Sequence, residues 1–150
     1  FTLHLAYSTP SKLVKLHLFS SDLCWSCGKG VGGFEHMFFS CKFLQSFWLQ
    51  VARKIGSIFD ISFTLDFPSV LLGPYAFSSP LDLPVSPLAL IDILLTIAVK
   101  IILLEWKSLN NVSFHTWWAW VTYLRAAHSL LSDPLFALLL HSCYGSPWMN

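Results

Sequence analysis

Charged residues are scarce in this sequence. They make up 11% of its 150 residues, and hydrophobic residues reach 55%, whereas roughly a quarter of an average soluble domain is charged. A disordered tail is therefore excluded, because disordered segments are rich in charge and poor in apolar residues. The composition fits a membrane protein or a segment that buries much of its surface against a neighbour. No basic segment precedes an apolar run that ends in small residues, so we expect no secretory signal.

Cysteine is scarce as well. Three of the four cysteines fall within eighteen residues, and Cys143 stands far from them. This distribution argues against a secreted disulfide scaffold, which usually spreads an even set of cysteines along the chain. His36 lies among the three clustered cysteines, and this combination favours a metal site in a reducing compartment.

The cluster has the spacing of metal ligands. Its pattern is Cys24-x2-Cys27-x8-His36-x4-Cys41. The first pair brings two thiolates to one tetrahedral ion, and the second pair completes four N/S ligands, the closed arrangement of structural zinc. Free buried thiols beside a surface histidine are the alternative interpretation. Five residues along an α-helix turn through about 500°, so we expect the helix to begin after Cys41 or to break near Ser40.

The hydrophobic pattern predicts a mainly α fold, with a small zinc module and a helical segment joined by a proline-rich linker. We divide the chain into three regions. Residues 1–55 are the zinc module, which includes an N-terminal turn at 9–11 and a short amphipathic stretch at 12–18. Residues 56–86 are the linker, and residues 87–150 are the helical segment. A helix is predicted over 44–55 because its apolar residues step by four, three and four. The linker carries four of the eight prolines, and within it residues 67–72 are predicted to form a short buried strand or a hydrophobic plug.

Two further helices are predicted in the last segment. The first begins at Pro87 with Ser86 as its N-cap, is almost wholly apolar from Leu88 to Leu104, and ends at Asn110-Asn111. Its polar residues stand four apart and align as one narrow stripe; they are Asp92, Thr96 and Lys100. We expect this stripe to face water and the apolar surface to pack on the helix that carries Trp117 and Trp118. The second helix is capped by Ser113, ends at Asp133-Pro134 and is followed by a short helix or coil over 135–141.

Charge is unevenly distributed. Residues 1–54 carry six basic side chains against two acidic ones, a net charge of +4, while residues 55–150 carry three against six, a net charge of −3. The first third is therefore the candidate for facing nucleic acid, although a solvated basic face is the alternative. Aromatic residues flank the cysteines, and their pattern has two interpretations. They stack on unpaired bases, or they pack the small zinc module onto its neighbour; we favour packing. The candidate nucleic-acid contacts are Lys12, Lys15, Lys29, Lys42, Arg53, Lys54 and Trp25.

Two stretches of the sequence resemble the region after the polymerase in non-LTR (LINE-type) retrotransposon reverse transcriptases. The first stretch is similar at Tyr7, Thr9, Pro10, Cys24, Trp25, Cys27, Gly33, His36, Cys41, Phe47 and Trp48. The second is similar at Trp106, Lys107, Ser108 and Trp117. The likeness covers about residues 4–124, with Lys42 in place of the family's common proline after the last cysteine.

The resemblance implies a structural Zn²⁺ ion and a non-catalytic role. The family's polymerase needs paired aspartates, and no Asp-Asp occurs in this chain. By resemblance, the chain is a C-terminal zinc-binding segment that helps an upstream polymerase domain engage template RNA and target DNA during target-primed reverse transcription. Its expected location is the cytoplasm and the nucleus, and its expected partners include neither a small-molecule substrate nor a membrane.

Two other classes of function compete with this interpretation. A small integral membrane protein is the alternative, because residues 88–104 approach the length that spans a bilayer. Asp92 and Lys100 count against it, since each costs roughly 2.5–3.5 kcal/mol at the centre of a spanning helix. An enzyme would need an acid/base pair, and nothing in the spacing brings Asp92 to His115 or His128.

Overall fold

The computed structural model describes residues 8–62, 64–77, 81–105 and 112–130. Within these ranges the chain is mainly helical, as predicted, and contains no strand beyond one isolated antiparallel bridge between Leu23 and Val31. The α-helices are α1 (Pro10–Lys15), α2 (Lys42–Phe59), α3 (Phe67–Leu72), α4 (Val85–Glu105) and α5 (Phe114–Leu130). A π-helix (His36–Ser40) precedes α2, and a 3₁₀ turn (Pro74–Ala76) follows α3.

Helix α1 begins earlier and ends earlier than the predicted stretch at 12–18. The side chain of Thr9 accepts a hydrogen bond from the backbone N–H of Lys12, and Pro10 occupies the first turn, where its missing N–H costs nothing. The sequence Thr9-Pro10-Ser11, predicted as a turn, is therefore the start of a helix. The chain leaves the helix at Leu16, and His17 takes a positive φ of 56°.

Helix α2 confirms the helix predicted over 44–55. Its apolar face is buried, and the buried residues are Leu44, Phe47, Trp48, Val51 and Ile55. The helix continues to Phe59, four residues past the boundary predicted at residue 55, and ends where Asp60 adopts a left-handed conformation.

Of the two alternatives predicted for residues 67–72, the strand is wrong, because they form helix α3, whose Val70 is buried in the core. Asp66 and Ser69 make a reciprocal capping box: the Asp66 carboxylate accepts from the Ser69 backbone N–H at 2.9 Å, and the Ser69 hydroxyl accepts from the Asp66 backbone N–H at 3.1 Å. The proline at position 68 lies in the first turn, where a helix tolerates it. Helix α3 packs between the π-helix and α4.

Helices α4 and α5 form the predicted apolar pair. Helix α4 begins at Val85, so the prediction that Ser86 is its N-cap is wrong. The prediction that Ser113 caps α5 is confirmed, because the Ser113 hydroxyl accepts a hydrogen bond from the His115 backbone N–H at 3.2 Å. The Trp117 side chain is buried between the two helices and donates from Nε1 to the Leu94 carbonyl at 3.0 Å. The helix ends predicted near 110 and 133 and the element at 135–141 lie outside the described residues.

The polar stripe of α4 is exposed, as predicted. Asp92, Thr96 and Lys100 face solvent, while ten other residues of the helix are buried. By length and mean hydropathy (21 residues, 2.4) α4 alone among the described helices could cross a membrane, and half of that window is buried inside the fold. A core helix of a soluble protein has the same properties, so the length and hydropathy of α4 do not distinguish a soluble protein from a membrane protein.

One core cluster joins all the larger elements. It runs from Cys24 and Cys41 through Phe38 and the buried face of α2 to the α4–α5 seam at Trp117. The cysteine-rich region therefore packs directly on the long helices and shares its apolar core with them.

Candidate metal centre

The Cys24–Cys27 pair stands at the head of a tight hairpin. The Cys24 backbone N–H donates to the Gly30 carbonyl at 2.7 Å, and the Gly28 N–H donates back to the Cys24 carbonyl at 2.8 Å. Gly28 has a φ of 64°, a conformation that L side chains rarely adopt. The hairpin therefore needs glycine at this position, and it curls the backbone so that both thiols reach the same point.

The second pair of ligands is brought together by the π-helix. The Cys41 backbone N–H donates to the His36 carbonyl at 3.0 Å, the five-residue hydrogen bond that defines this helix type. The wider turn brings residues five apart close to one face, which an α-helix does not do. Helix α2 begins at Lys42, directly after the pair, so the predicted break is confirmed while the π-helix itself was not foreseen.

The structure brings all four predicted ligands into one cluster. Their ligand atoms lie within 4.8 Å of one another, close enough to bind one metal ion. The sulfur atoms of Cys24 and Cys41 are 4.0 Å apart, and the Cys27 sulfur lies 3.2 Å from His36 Nε2. Two sulfurs about 2.3 Å from one tetrahedral ion stand about 3.8 Å apart. The separation of the Cys24 and Cys41 sulfurs is therefore close to that of two ligands in a tetrahedral site.

The cysteines differ in their electrostatic surroundings. Burial raises the pKa of the Cys41 thiol to about 12, and the charges of Cys24 and Cys27 act in the same direction. Burial also raises the pKa of the Cys27 thiol. Hydrogen bonds from the backbone of Gly30 and Lys29 and from the His36 side chain outweigh this effect, so the pKa of Cys27 is lowered to about 6. A cation placed among the thiolates would offset their mutual repulsion and the cost of burying their charge.

Two glycines allow close approach around the site. A Cβ at Gly30 would stand about 2.9 Å from both ring nitrogens of His36, and a Cβ at Gly32 would meet the ring of Pro10 at 2.6 Å. The hairpin thus lies flat against the imidazole and against the start of α1. The contact between Gly30 and His36 depends on the fold and does not follow from the sequence spacing.

The aromatic residues near the cluster mainly pack, as favoured from the sequence. Phe38 and Phe47 are buried, and buried Trp48 donates from Nε1 to the Phe38 carbonyl at 2.9 Å. Trp25 and Phe34 are half-buried and rest against the same core. These contacts fasten the metal cluster to α2.

The candidate nucleic-acid contacts differ in their exposure. Lys15, Lys29, Lys42 and Arg53 are exposed, and Lys12 is half-buried. Lys54 lies 4.4 Å from the ring centroid of Trp118, a contact that ties α2 to α5. Trp25, as noted, is partly covered by the core.

Some predicted features lie outside the described residues. They are Tyr7, Trp106, Lys107, Ser108 and Cys143. Among the described residues, the Cys-Cys-His-Cys group is the one cluster with metal-ligand geometry. Comparison of the chain with protein-family models, curated proteins and solved structures found no match.

Proposed function

We propose that Cys24, Cys27, His36 and Cys41 hold one structural zinc ion. The observation that carries this proposal is the convergence of four ligand atoms within 4.8 Å. Three thiolates and an imidazole suit zinc, whose structural sites are tetrahedral and built from sulfur and nitrogen. All four positions are filled by protein, so no coordination site remains for water or substrate, and the role of the ion is to stabilise the fold.

We further propose that the chain is the zinc-binding C-terminal segment of a retrotransposon reverse transcriptase, non-catalytic by itself. The two stretches of resemblance support this assignment, and the finer division into a Cys-Cys-His-Cys module, a proline-rich linker and a helical segment belongs to it. Its partners are the upstream polymerase domain, template RNA and target DNA, in the cytoplasm and the nucleus. The exposed cations near the cluster, Lys15 and Lys29, supply phosphate contacts.

The zinc assignment is tested by elemental analysis of the purified chain. We expect one zinc ion per chain. After zinc is exchanged for cobalt, we expect the visible spectrum of a tetrahedral site with three sulfur ligands and one nitrogen ligand. Cys24→Ser and His36→Ala should lose the ion, whereas Cys143→Ser should keep it. A Cys27→Ser variant that still holds one zinc with unchanged melting would show that the ligand set is wrong.

The nucleic-acid role is tested by the salt dependence of binding to labelled single-stranded RNA. Each lysine that contacts a phosphate contributes about 0.7 to the slope of log affinity against log salt concentration. Lys15→Ala and Lys29→Ala should each reduce the slope by about that amount. The control is Lys100→Ala, whose ammonium lies 5.2 Å from the ring centroid of Trp120 on the far helices. Absence of any RNA or DNA binding by the zinc-loaded chain would refute the role.

An integral membrane protein remains the second candidate, because α4 has the length and hydropathy of a spanning helix. The exposed charges of Asp92 and Lys100 lie in the middle of α4, where a bilayer would strip them of water. Solvent labelling of α4 separates the two candidates and is described below.

A further inference from the structure

A cleft lies beside the metal centre, between the end of the π-helix, α2 and the segment before α3. Its volume is about 420 Å³. The walls are mostly apolar, and they include Phe39, Trp48, Leu49, Ala52 and Leu65. Three uncharged polar residues complete the lining: Ser40, Gln45 and Thr64. No carboxylate or cation is among the described residues that line it, so its interior suits a neutral ligand with an apolar face and hydrogen-bonding edges.

The aromatic wall of the cleft is held in place. Phe39 and Trp48 have ring centroids 6.1 Å apart, and the Trp48 N–H is already engaged by the Phe38 carbonyl. Trp48 is only 4% exposed, so the half-buried Phe39 supplies the aromatic surface that a ligand would reach. Leu49, which also lines the cleft, is about half exposed, at 51%. A flat ring entering here would meet apolar surface from Phe39 and Leu49.

Two cations flank the cleft on the solvent face of α2. Lys42, Leu49 and Arg53 are spaced by seven and four residues, so they lie along one side of the helix, and all three are exposed. Lys42 and Arg53 are about 16 Å apart along the helix axis. The Lys42 ammonium lies 4.9 Å from the ring centroid of Phe43, so it would have to leave that ring to meet a phosphate beside the cleft.

We propose that this cleft binds an unpaired base of a single-stranded nucleic acid, with Lys42 and Arg53 contacting the flanking phosphates. The inference rests on the proposed nucleic-acid function and assigns a site for it. A base has a π-face for the aromatic wall and donor and acceptor edges for Gln45, Ser40 and Thr64, the combination by which proteins hold splayed-out bases. An apolar side chain of a protein partner would use the walls but neither the polar rim nor the two cations.

The test compares a short oligoadenylate with a matched oligomer that has the same backbone but lacks the bases. The zinc-loaded full chain should bind the oligoadenylate about tenfold or more tightly, because stacking is lost with the bases. Ala52→Phe, which fills the cleft, should bind both oligomers with the same low affinity. Gln50→Ala, at an exposed position of α2 that does not line the cleft, should behave like the unaltered chain.

The cations are tested separately through the salt slope. Lys42→Ala and Arg53→Ala should each lower the slope by about 0.7 for both oligomers while leaving the preference for bases intact. Zinc content and helicity of every variant should equal those of the unaltered chain. If Ala52→Phe is misfolded by these measures, Gln45→Ala, at an exposed rim position, replaces it and should reduce the preference for bases.

Photocrosslinking locates the base directly. An oligomer carrying a photoreactive thio-substituted base should crosslink to Phe39 in both its RNA and DNA forms, and a preference for one form identifies the natural strand. If the unaltered chain binds nucleic acid but the Ala52→Phe variant retains the preference for bases, the base binds outside the cleft and the inference is overturned. If the unaltered chain binds neither oligomer, the proposed function itself fails.

Discussion

At the residue scale, the orientation of His36 depends on its neighbours. Its imidazole lies between the Cys27 sulfur, at 3.2 Å, and the Cα of Gly30, where any side chain would collide with the ring. A metal ligand binds tightly only when its ring is already held in the productive orientation. Gly30 is therefore part of the site even though it contributes no ligand atom.

This contact predicts that Gly30→Ala weakens zinc binding. The added methyl group would push the imidazole away from the other ligands, and disturbing groups that orient a ligand lowers metal affinity about 10–100-fold. Competition with a chromophoric chelator measures the change. Gly33→Ala is the matched control, because a Cβ there meets no atom within 4 Å. Equal affinity of the two variants would mean that the contact with His36 does not matter.

At the element scale, the soluble and the membrane-embedded interpretations make different predictions for α4. The helix is apolar on most of its circumference, and its exposed polar residues occur at intervals of four. A helix packed on several sides in a protein core leaves one such stripe for water. In a bilayer the same residues would face hydrocarbon or be forced to pair with one another.

Cysteine labelling along α4 tests this directly. Single cysteines at positions 92, 96 and 100 should react with a water-borne thiol reagent, because these positions are exposed, and cysteines at 94 and 98 should not, because these are buried. The natural cysteines are protected by zinc or, at Cys143, replaced by serine. Protection of all five positions in vesicles, with reaction at 86 and 108, would establish a spanning helix and remove the soluble interpretation.

At the scale of the whole molecule, the metal cluster and the long helices share one core. Cys24 and Cys41 belong to the same buried cluster as Trp117, yet the two regions are held differently. Residues 24–41 depend on a hairpin, a π-turn and the proposed ion. The α4–α5 seam has its own buried apolar surface and the hydrogen bond from Trp117 to Leu94.

Removing zinc should therefore loosen the first third of the molecule more than the rest. Binding of structural zinc contributes about 10–16 kcal/mol to the folding free energy of isolated finger peptides. This contribution exceeds the stability that a module of this size has without the ion. After chelation, amide hydrogen exchange should accelerate over 24–41 and Trp48 fluorescence should report solvent exposure, while amides over 90–102 stay protected. Equal acceleration in both regions would mean that the fold is a single cooperative unit, and no change in either would show that the ion is not structural.

Local patterns in the sequence determined several features of this protein. The spacing of Leu44, Trp48, Val51 and Ile55 predicted α2, and the Ser113 cap predicted the start of α5, because helix periodicity and capping depend on residues only a few positions apart. The four ligands were predicted for the same reason, since their spacing alone limits how two thiolates and a second pair can meet.

Tertiary structure decided the features that depend on distant neighbours. Residues 67–72 became a helix in part because the segment packs between the π-helix and α4, although the capping box of Asp66 and Ser69 is a local signal that sequence reasoning missed. The Lys54 ammonium contacts the ring of Trp118, a residue sixty-four positions away in the chain. The cleft beside the metal centre combines side chains from three segments. Such contacts depend on how the elements pack together, and no local pattern of residues contains that information.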